Sequence, residues 1–220
     1  KNKYKNSTKF FMRLALKQAE KCLGNTGVNT AVGCVIVKDD MVIGSGSTGL
    51  NGVPHAEINA INSAKSKTLN ANMFVTLEPC SHYGKTPPCV NRIIRSKIKK
   101  VFFSVYDLDK RSYKKSKNIL KKNKIKVING ILKKDTGVFY KSYIAQKSNR
   151  PPFISTKLAL SKDYFLKSNK NKWITNKFSR LRGHIFRSKH DAILTSSKTI
   201  IDDNPTLNCR IKGLEKSSPT

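Results

Sequence analysis

The chain has 220 residues, 38% apolar and 8% aromatic, which is enough for a packed core and excludes collagenous, disordered and small disulfide-framework classes. Its 44 Lys plus Arg against 13 Asp plus Glu give a formal charge of +31, yet 35 of the cations are Lys and only 9 are Arg. Readers of nucleic acid lean on the Arg fork, and Asn and Ile are also abundant, so the charge reads as compositional drift and argues against a nucleic-acid partner. No run approaches the roughly eighteen apolar residues of a membrane span. The apolar patch Phe10 to Leu16 is broken by Arg13, which is no secretory signal. A cytoplasmic protein with no membrane contact is expected. Five cysteines, an odd number without an export signal, argue against paired disulfides.

In chain order, Ser7 or Thr8 can cap a helix with Phe11, Leu14, Ala15 and Ala19 at helical spacing. Val32 to Val37 is a continuous apolar run, as in a strand buried on both faces, and Cys34 within it reads as a small buried hydrophobe. Asp39-Asp40 turns the chain into a strand from Met41 to Gly44. A helix is expected from about His55 to Ala64, a strand over Met73 to Leu77, and a helix over Pro88 to Arg95. Then come a strand at Val101 to Val105, a Lys-rich helix at Lys114 to Lys122 and a strand at Ile125 to Ile128. Residues 110–147 hold 13 basic residues and the single acid Asp135, the pattern of a solvated helix face. The alternation predicts one layered α/β domain over 1–146. Ser148-Asn149-Arg150-Pro151-Pro152 reads as a linker (147–152). A strand from Phe153 to Ala159 then opens a second, partial domain over 153–220.

The chemistry concentrates in His55-Ala56-Glu57, in Thr76-Leu77-Glu78-Pro79-Cys80, and in Cys89. One imidazole and two thiolates supply three ligands to a tetrahedral Zn²⁺ and leave a fourth position for water, the mark of catalytic rather than structural zinc. A helix start and a strand end can converge where the sheet's carboxyl edge meets helix N-termini, whose dipoles favour thiolates. Glu57, two residues past the imidazole, is placed to accept a proton from water and return it to a leaving amine. Each fragment alone is common; together and in this order they specify a hydrolytic zinc site.

The H-x-E then P-C pattern resembles the zinc-dependent nucleoside and nucleobase deaminases, in which a non-ligand Glu is acid and base. Most of that group close the site with C-x-x-C. Here Cys80 and Cys89 bracket Ser81-His82-Tyr83-Gly84-Lys85-Thr86-Pro87-Pro88, and the whole string is similar to the bifunctional riboflavin-biosynthesis deaminase/reductases. The resemblance implies a three-layer α/β/α cytidine-deaminase-like domain followed by the front of a dihydrofolate-reductase-like α/β domain. It implies hydrolytic deamination of 2,5-diamino-6-(5-phosphoribosylamino)pyrimidin-4(3H)-one, with His55, Cys80 and Cys89 on zinc and Glu57 catalytic. Asn29, His82 and Lys85 match substrate-binding positions, Asn29 suited to the pyrimidine edge and Lys85 to the phosphate. Thr48 stands where the family usually has His. Asp107-Leu108-Asp109-Lys110 replaces Asp-Pro-Asn-Pro, and Lys114 and Ser116 replace glycines. These departures touch the ribose-phosphate side and leave the zinc ligands intact.

Past the linker, Lys157-Leu158-Ala159, Ser161, Asp163, Trp173-Ile174-Thr175, Arg187, Asp191 to Ser197, Thr199 and Asp203-Asn204-Pro205 follow in the order of the family's reductase domain. By that resemblance Ala159, Trp173, Thr199 and Asp203 touch NADPH, and Asn171, Arg187, Leu207 and Arg210 touch the substrate. Asn171 replaces a Ser and Tyr164 a Gly. No Gly-rich phosphate loop follows before Thr220, and the chain starts without Met, so it reads as a fragment or truncated product whose reductase part does not bind NADPH productively. The competing readings are a zinc deaminase of tRNA or of free nucleotides, and a Lys-rich module that keeps zinc for folding and binds polyanions. The partner implied is a small pyrimidine ribosyl phosphate, and the sequence leaves a homo-oligomer open.

Overall fold

The structure, a computed structural model, describes residues 2–166, 173–217 and 219. Contacts divide it into two units, Lys1–Phe153 and Ile154–Thr220. The first begins with helix α1 (Asn2–Cys22), which starts ahead of Ser7 and Thr8. The residues upstream of that expected cap contain no Gly or Pro to stop the helix propagating. Strands β1 (Gly33–Lys38) and β2 (Met41–Ser47) form a hairpin. Its two turn residues, Asp39 and Asp40, both adopt positive φ (48° and 57°), as a tight hairpin turn requires. Helix α2 (Ala56–Ala64), strand β3 (Asn72–Leu77), helix α3 (Cys89–Arg95), strand β4 (Lys100–Val105), helix α4 (Lys115–Lys122) and strand β5 (Lys126–Asn129) follow. Two short helices, α5 (Lys133–Phe139) and α6 (Lys141–Lys147), end the unit.

The sheet order is β2-β1-β3-β4-β5. β1 runs antiparallel to both neighbours, and β3, β4 and β5 are mutually parallel. The period-two alternation of strand side chains divides the core into two layers. Cys34, Ile36, Met73, Val75, Val101, Phe103 and Val127 face α2, α3 and α4. Val35, Val37, Phe74 and Phe102 face α1 through Phe11, Met12 and Ala15. Sheet between two helical layers is the α/β/α architecture that the resemblance implies, and it is a layered α/β domain as the alternation of elements predicts.

Glycines let both helical layers approach closely. A Cβ on Gly33 would stand 1.9 Å from the Ala15 carbonyl oxygen of α1, and one on Gly46 would stand 2.4 Å from the Ala60 nitrogen of α2. Helix α2 therefore lies directly on the hairpin. That seating places its first residues, the ones with the chemistry, at the carboxyl edge of β3.

The basic run 110–147 is not simply a solvated face. Tyr140, Thr136, Ser116 and Ser112 within it are buried. The Gly33 amide donates to Thr76 Oγ1 (3.1 Å), the Thr76 hydroxyl lies 2.6 Å from Tyr140 Oη, and Tyr140 donates to the Ala31 carbonyl (3.0 Å). This buried chain ties the α5–α6 junction to β1 and β3.

In the second unit α7 (Lys177–Arg187) and α8 (Ser197–Asp203) are capped by Asn176 and Ser196, whose side chains accept from the Ser179 and Thr199 amides. The strand expected over 153–159 does not form. Among the described residues of this unit there is no strand to pair with it, and an unpartnered strand lacks its ladder. Tyr164, in place of the resemblance's Gly, takes φ 66°, and Lys114, in place of another, takes φ 59°. The left-handed turns persist without the glycines that make them easy. No helix among the described residues is long and apolar enough to cross a membrane.

Candidate metal centre

His55 is the N-cap residue of α2, with extended backbone (φ −67°, ψ 156°). Cys80 follows the end of β3 after Glu78, whose amide bonds the Val105 carbonyl of β4 (2.9 Å) and so continues the parallel ladder by one step. Cys89 opens α3 directly after Pro88. A strand end and two helix starts thus meet at one edge. His55 Nδ1 lies 3.2 Å from Cys89 Sγ and 3.5 Å from Cys80 Sγ, and the three donor atoms fall within 4.8 Å of one another. The Cys89 amide donates to Cys80 Sγ (3.2 Å), as a helix N-terminus does for a thiolate.

The charges respond to this crowding. Cys80 is pulled well below the usual thiol range, first by its hydrogen bond with Cys89 and then by His55. The neighbouring thiolate and burial push Cys89 up. His55 rises to about 8 through its bond with Cys80. Burial pushes Glu57 up to about 7, with the Cys80 charge adding to the effect, and its carboxyl shares a hydrogen bond with Cys89. One imidazole and two thiols, mutually within reach and largely shielded from solvent, are the donor set of a three-ligand zinc site. The buried carboxyl beside them is not part of that cluster.

The chain matches the zinc-binding region of cytidine and deoxycytidylate deaminases over residues 5–105 and the RibD C-terminal domain over residues 152–219. The riboflavin biosynthesis protein RibD of Bacillus amyloliquefaciens is 37% identical over 209 residues, covering 94% of this chain and 56% of that protein. Over nearly its whole length the chain is homologous to RibD proteins. RibD of Escherichia coli K12 is 34% identical over 211 residues, 95% of this chain and 58% of its own length. A deaminase/reductase structure from Thermotoga maritima superposes with a TM-score of 0.87 at 36% identity, covering 96% of this chain and 61% of that one. The chain therefore spans less than two thirds of the RibD proteins it matches.

Around the donor set His55, Cys80 and Cys89 the other expected site residues take varied places. Asn29 is exposed and donates to the Asn51 carbonyl (3.1 Å), its side chain pressed against Gly52. Lys85 is exposed in the loop between the cysteines. His82 Nδ1 lies 2.8 Å from Ser112 Oγ. Thr48 is buried, with Oγ1 accepting from the Val32 amide (2.9 Å) and bonding the Thr30 carbonyl (3.2 Å). It serves the β1 entrance there instead of supplying an imidazole. Asp107 accepts from the Asp109 amide (2.9 Å) and from the Tyr143 hydroxyl of α6.

Two residues escaped the sequence reading. Glu78 is buried and accepts from the Lys114 amide (3.0 Å) and the Ser116 hydroxyl (2.7 Å), clamping segment 107–116 to the metal loop. Ser112 clamps the same segment from its middle. Glu78 stands inside the T-L-E-P-C string, which is the one signal that could have found it.

In the second unit Arg187, Leu207 and Arg210 fall around Asn208. Arg187 donates to its carbonyl (3.2 Å), and Arg210 donates to its side-chain oxygen (2.8 Å) and, through its amide, to His184 Nδ1 (3.2 Å). Trp173 is 60% exposed, with the Arg180 guanidinium 4.7 Å above its ring. Thr199 sits in the α8 cap, Asp203 closes α8, and Ala159 is half-buried. Asn171 lies outside the described residues.

Proposed function

We propose that residues 1–146 form a zinc-dependent deaminase of 2,5-diamino-6-(5-phosphoribosylamino)pyrimidin-4(3H)-one. The observation that carries this reading is the buried carboxyl of Glu57 beside the donor set His55, Cys80 and Cys89. Zinc bound there supplies Lewis acidity and an acidified water. Burial raises the Glu57 carboxyl above the ordinary carboxylate range, the direction that suits a group which takes a proton and gives it back. In the balanced reaction water adds at the amine-bearing ring carbon, the C–N bond breaks, and Glu57 carries the proton that lets nitrogen depart as ammonia. A ring carbonyl remains. Asn29 would read the pyrimidine edge, and His82 and Lys85 would meet substrate from the loop.

After a linker at 147–152, residues 153–220 would contribute the opening of an NADPH-dependent reductase of the deaminated product. In this reading Ala159, Trp173, Thr199 and Asp203 face the cofactor, and Asn171, Arg187, Leu207 and Arg210 face the substrate. A cytoplasmic location accompanies it. The match over 152–219 and the long Cys80–Cys89 loop weigh against a tRNA or free-nucleotide deaminase.

The test is ammonia release from the diaminopyrimidine phosphate by wild type and Glu57→Gln. Acid–base catalysis contributes roughly 10²–10⁴-fold, so a loss of that size with zinc retained is expected. A variant within threefold of wild type overturns the role of Glu57.

A further inference from the structure

Ser112 has no part in the reaction just described, yet it is fully buried beneath the metal loop. A tight turn fixes it. The Ser112 and Tyr113 amides both bond the Asp109 carbonyl (2.9 and 2.8 Å), and the Lys115 amide bonds the Ser112 carbonyl (2.9 Å). The Asp109 carboxylate is gripped by Arg111 (2.7 and 2.9 Å) and approached by Lys147 of α6 (3.6 Å). The turn therefore holds the hydroxyl in place, and the hydroxyl meets two groups of the loop. The Ser81 amide donates to Oγ (3.3 Å), and His82 Nδ1 lies 2.8 Å from it.

The hydrogen-bond inventory of a serine hydroxyl is one donor and two lone pairs. The Ser81 amide takes a lone pair. The second lone pair could accept from an Nδ1–H, but the buried hydroxyl hydrogen would then lack an acceptor among the described residues, whereas donation to Nδ1 satisfies it and puts the ring proton on Nε2. That edge of the ring turns toward Gly84, where a Cβ would stand 3.9 Å from Nε2, in the loop that also bears the exposed Lys85.

We propose that Ser112 is a positioning residue that holds His82 in its Nε2–H form, as a directed donor to an oxygen of the substrate. The acceptor is an anionic phosphate oxygen or a ring carbonyl oxygen, either of which takes a hydrogen bond from an Nε2–H. The proposal rests on the deaminase reading for the identity of the substrate, but not for the tautomer.

Nitrogen-15 NMR of the imidazole in the zinc-loaded chain reads the tautomer without substrate. The expected spectrum has Nε2 as the protonated nitrogen of His82 in wild type, with the proton redistributed in Ser112→Ala. A wild-type ring protonated on Nδ1 overturns the proposal, even if Ser112→Ala proves unable to fold. In steady-state assays Ser112→Ala should raise KM about tenfold with kcat within threefold and zinc content unchanged, because a ground-state contact is lost. Ser112→Thr should restore KM. An unchanged KM in Ser112→Ala overturns the positioning role. With the dephosphorylated substrate the KM effect vanishes if the acceptor is phosphate and persists if it is the ring carbonyl. Should wild type release no ammonia at all, the deaminase reading fails while the NMR result still decides the tautomer.

Discussion

Gly46 of β2 lies against the backbone of Ala60 in α2 so closely that a β-carbon would stand 2.4 Å from the Ala60 nitrogen and 2.5 Å from the Ala56 oxygen. Backbone atoms cannot swing aside as side-chain tips can. Gly46→Ala must lift α2 off the hairpin, and His55 moves with its helix. We expect a loss of about 1–3 kcal/mol, the usual cost of overpacking, read as a melting temperature several degrees lower, together with reduced zinc occupancy. Gly137→Ala is the control. Nothing lies within 4 Å of that Cβ, and alanine in a helix interior is favoured over glycine by roughly 0.5–1 kcal/mol. Equal stability of the Gly46→Ala protein and wild type would show that the two elements are not seated as described.

The metal cluster makes its own prediction. Purified protein should hold about one zinc per chain, as a three-ligand site requires. Cys89→Ser removes a donor and the partner of Cys80, so occupancy should fall and thermal stability with it, because metal binding is coupled to folding. Chelator should lower the wild-type melting temperature and leave that of the variant nearly unmoved. Full zinc occupancy in Cys89→Ser would remove Cys89 from the ligand set.

Tyr140 carries a structural prediction far from the metal. Tyr140→Phe deletes the link between Thr76 and the Ala31 carbonyl and leaves both buried with a bond missing, at a cost of about 1–3 kcal/mol. Zinc content should not change. Burial holds the Tyr140 pKa well above the ordinary tyrosine value of 10.0. With the folded value raised, its contribution is complete below pH 10 and is lost as pH climbs beyond it. The stability gap between wild type and Tyr140→Phe should therefore narrow in alkali. A gap that widened there would contradict the burial of the hydroxyl.

Residues 151–158 are exposed and lack regular secondary structure, which marks them for proteolytic nicking. Trypsin should cut at Lys157 early and release an N-terminal piece that keeps its zinc. Early cleavage within β1 to β5 in preference to this segment would refute the prediction.

How legible all this is in the sequence depends on what kind of force fixes each element. The five strands and the helices between them announce themselves, because strands such as Val32 to Val37 are buried on both faces and must be apolar throughout. The metal donors are legible for a different reason: sulfur and imidazole at particular spacings have few other uses. Tyr140, Thr136 and Ser112 were hidden because lysines surround them. A single buried hydroxyl per helical turn leaves no periodic apolar signal, and local charge count says nothing about which side chain points inward. The strand expected at 153–159 failed for the opposite reason. Its residues have the right composition, but strand formation needs a neighbour, and composition does not report one.

The chain's single tryptophan is Trp173, under the Arg180 guanidinium in the second unit, whereas six of the seven tyrosines belong to the first unit and Tyr164 to the second. The two units are thus optically distinct. Excitation at the red edge of the protein band reports on the second unit alone, and the difference from a tyrosine-weighted signal reports mainly on the metal-bearing one, which holds six of the seven tyrosines. A chemical titration followed at both wavelengths can separate the melting of one from the other within a single intact chain, with no label and no dissection of the gene.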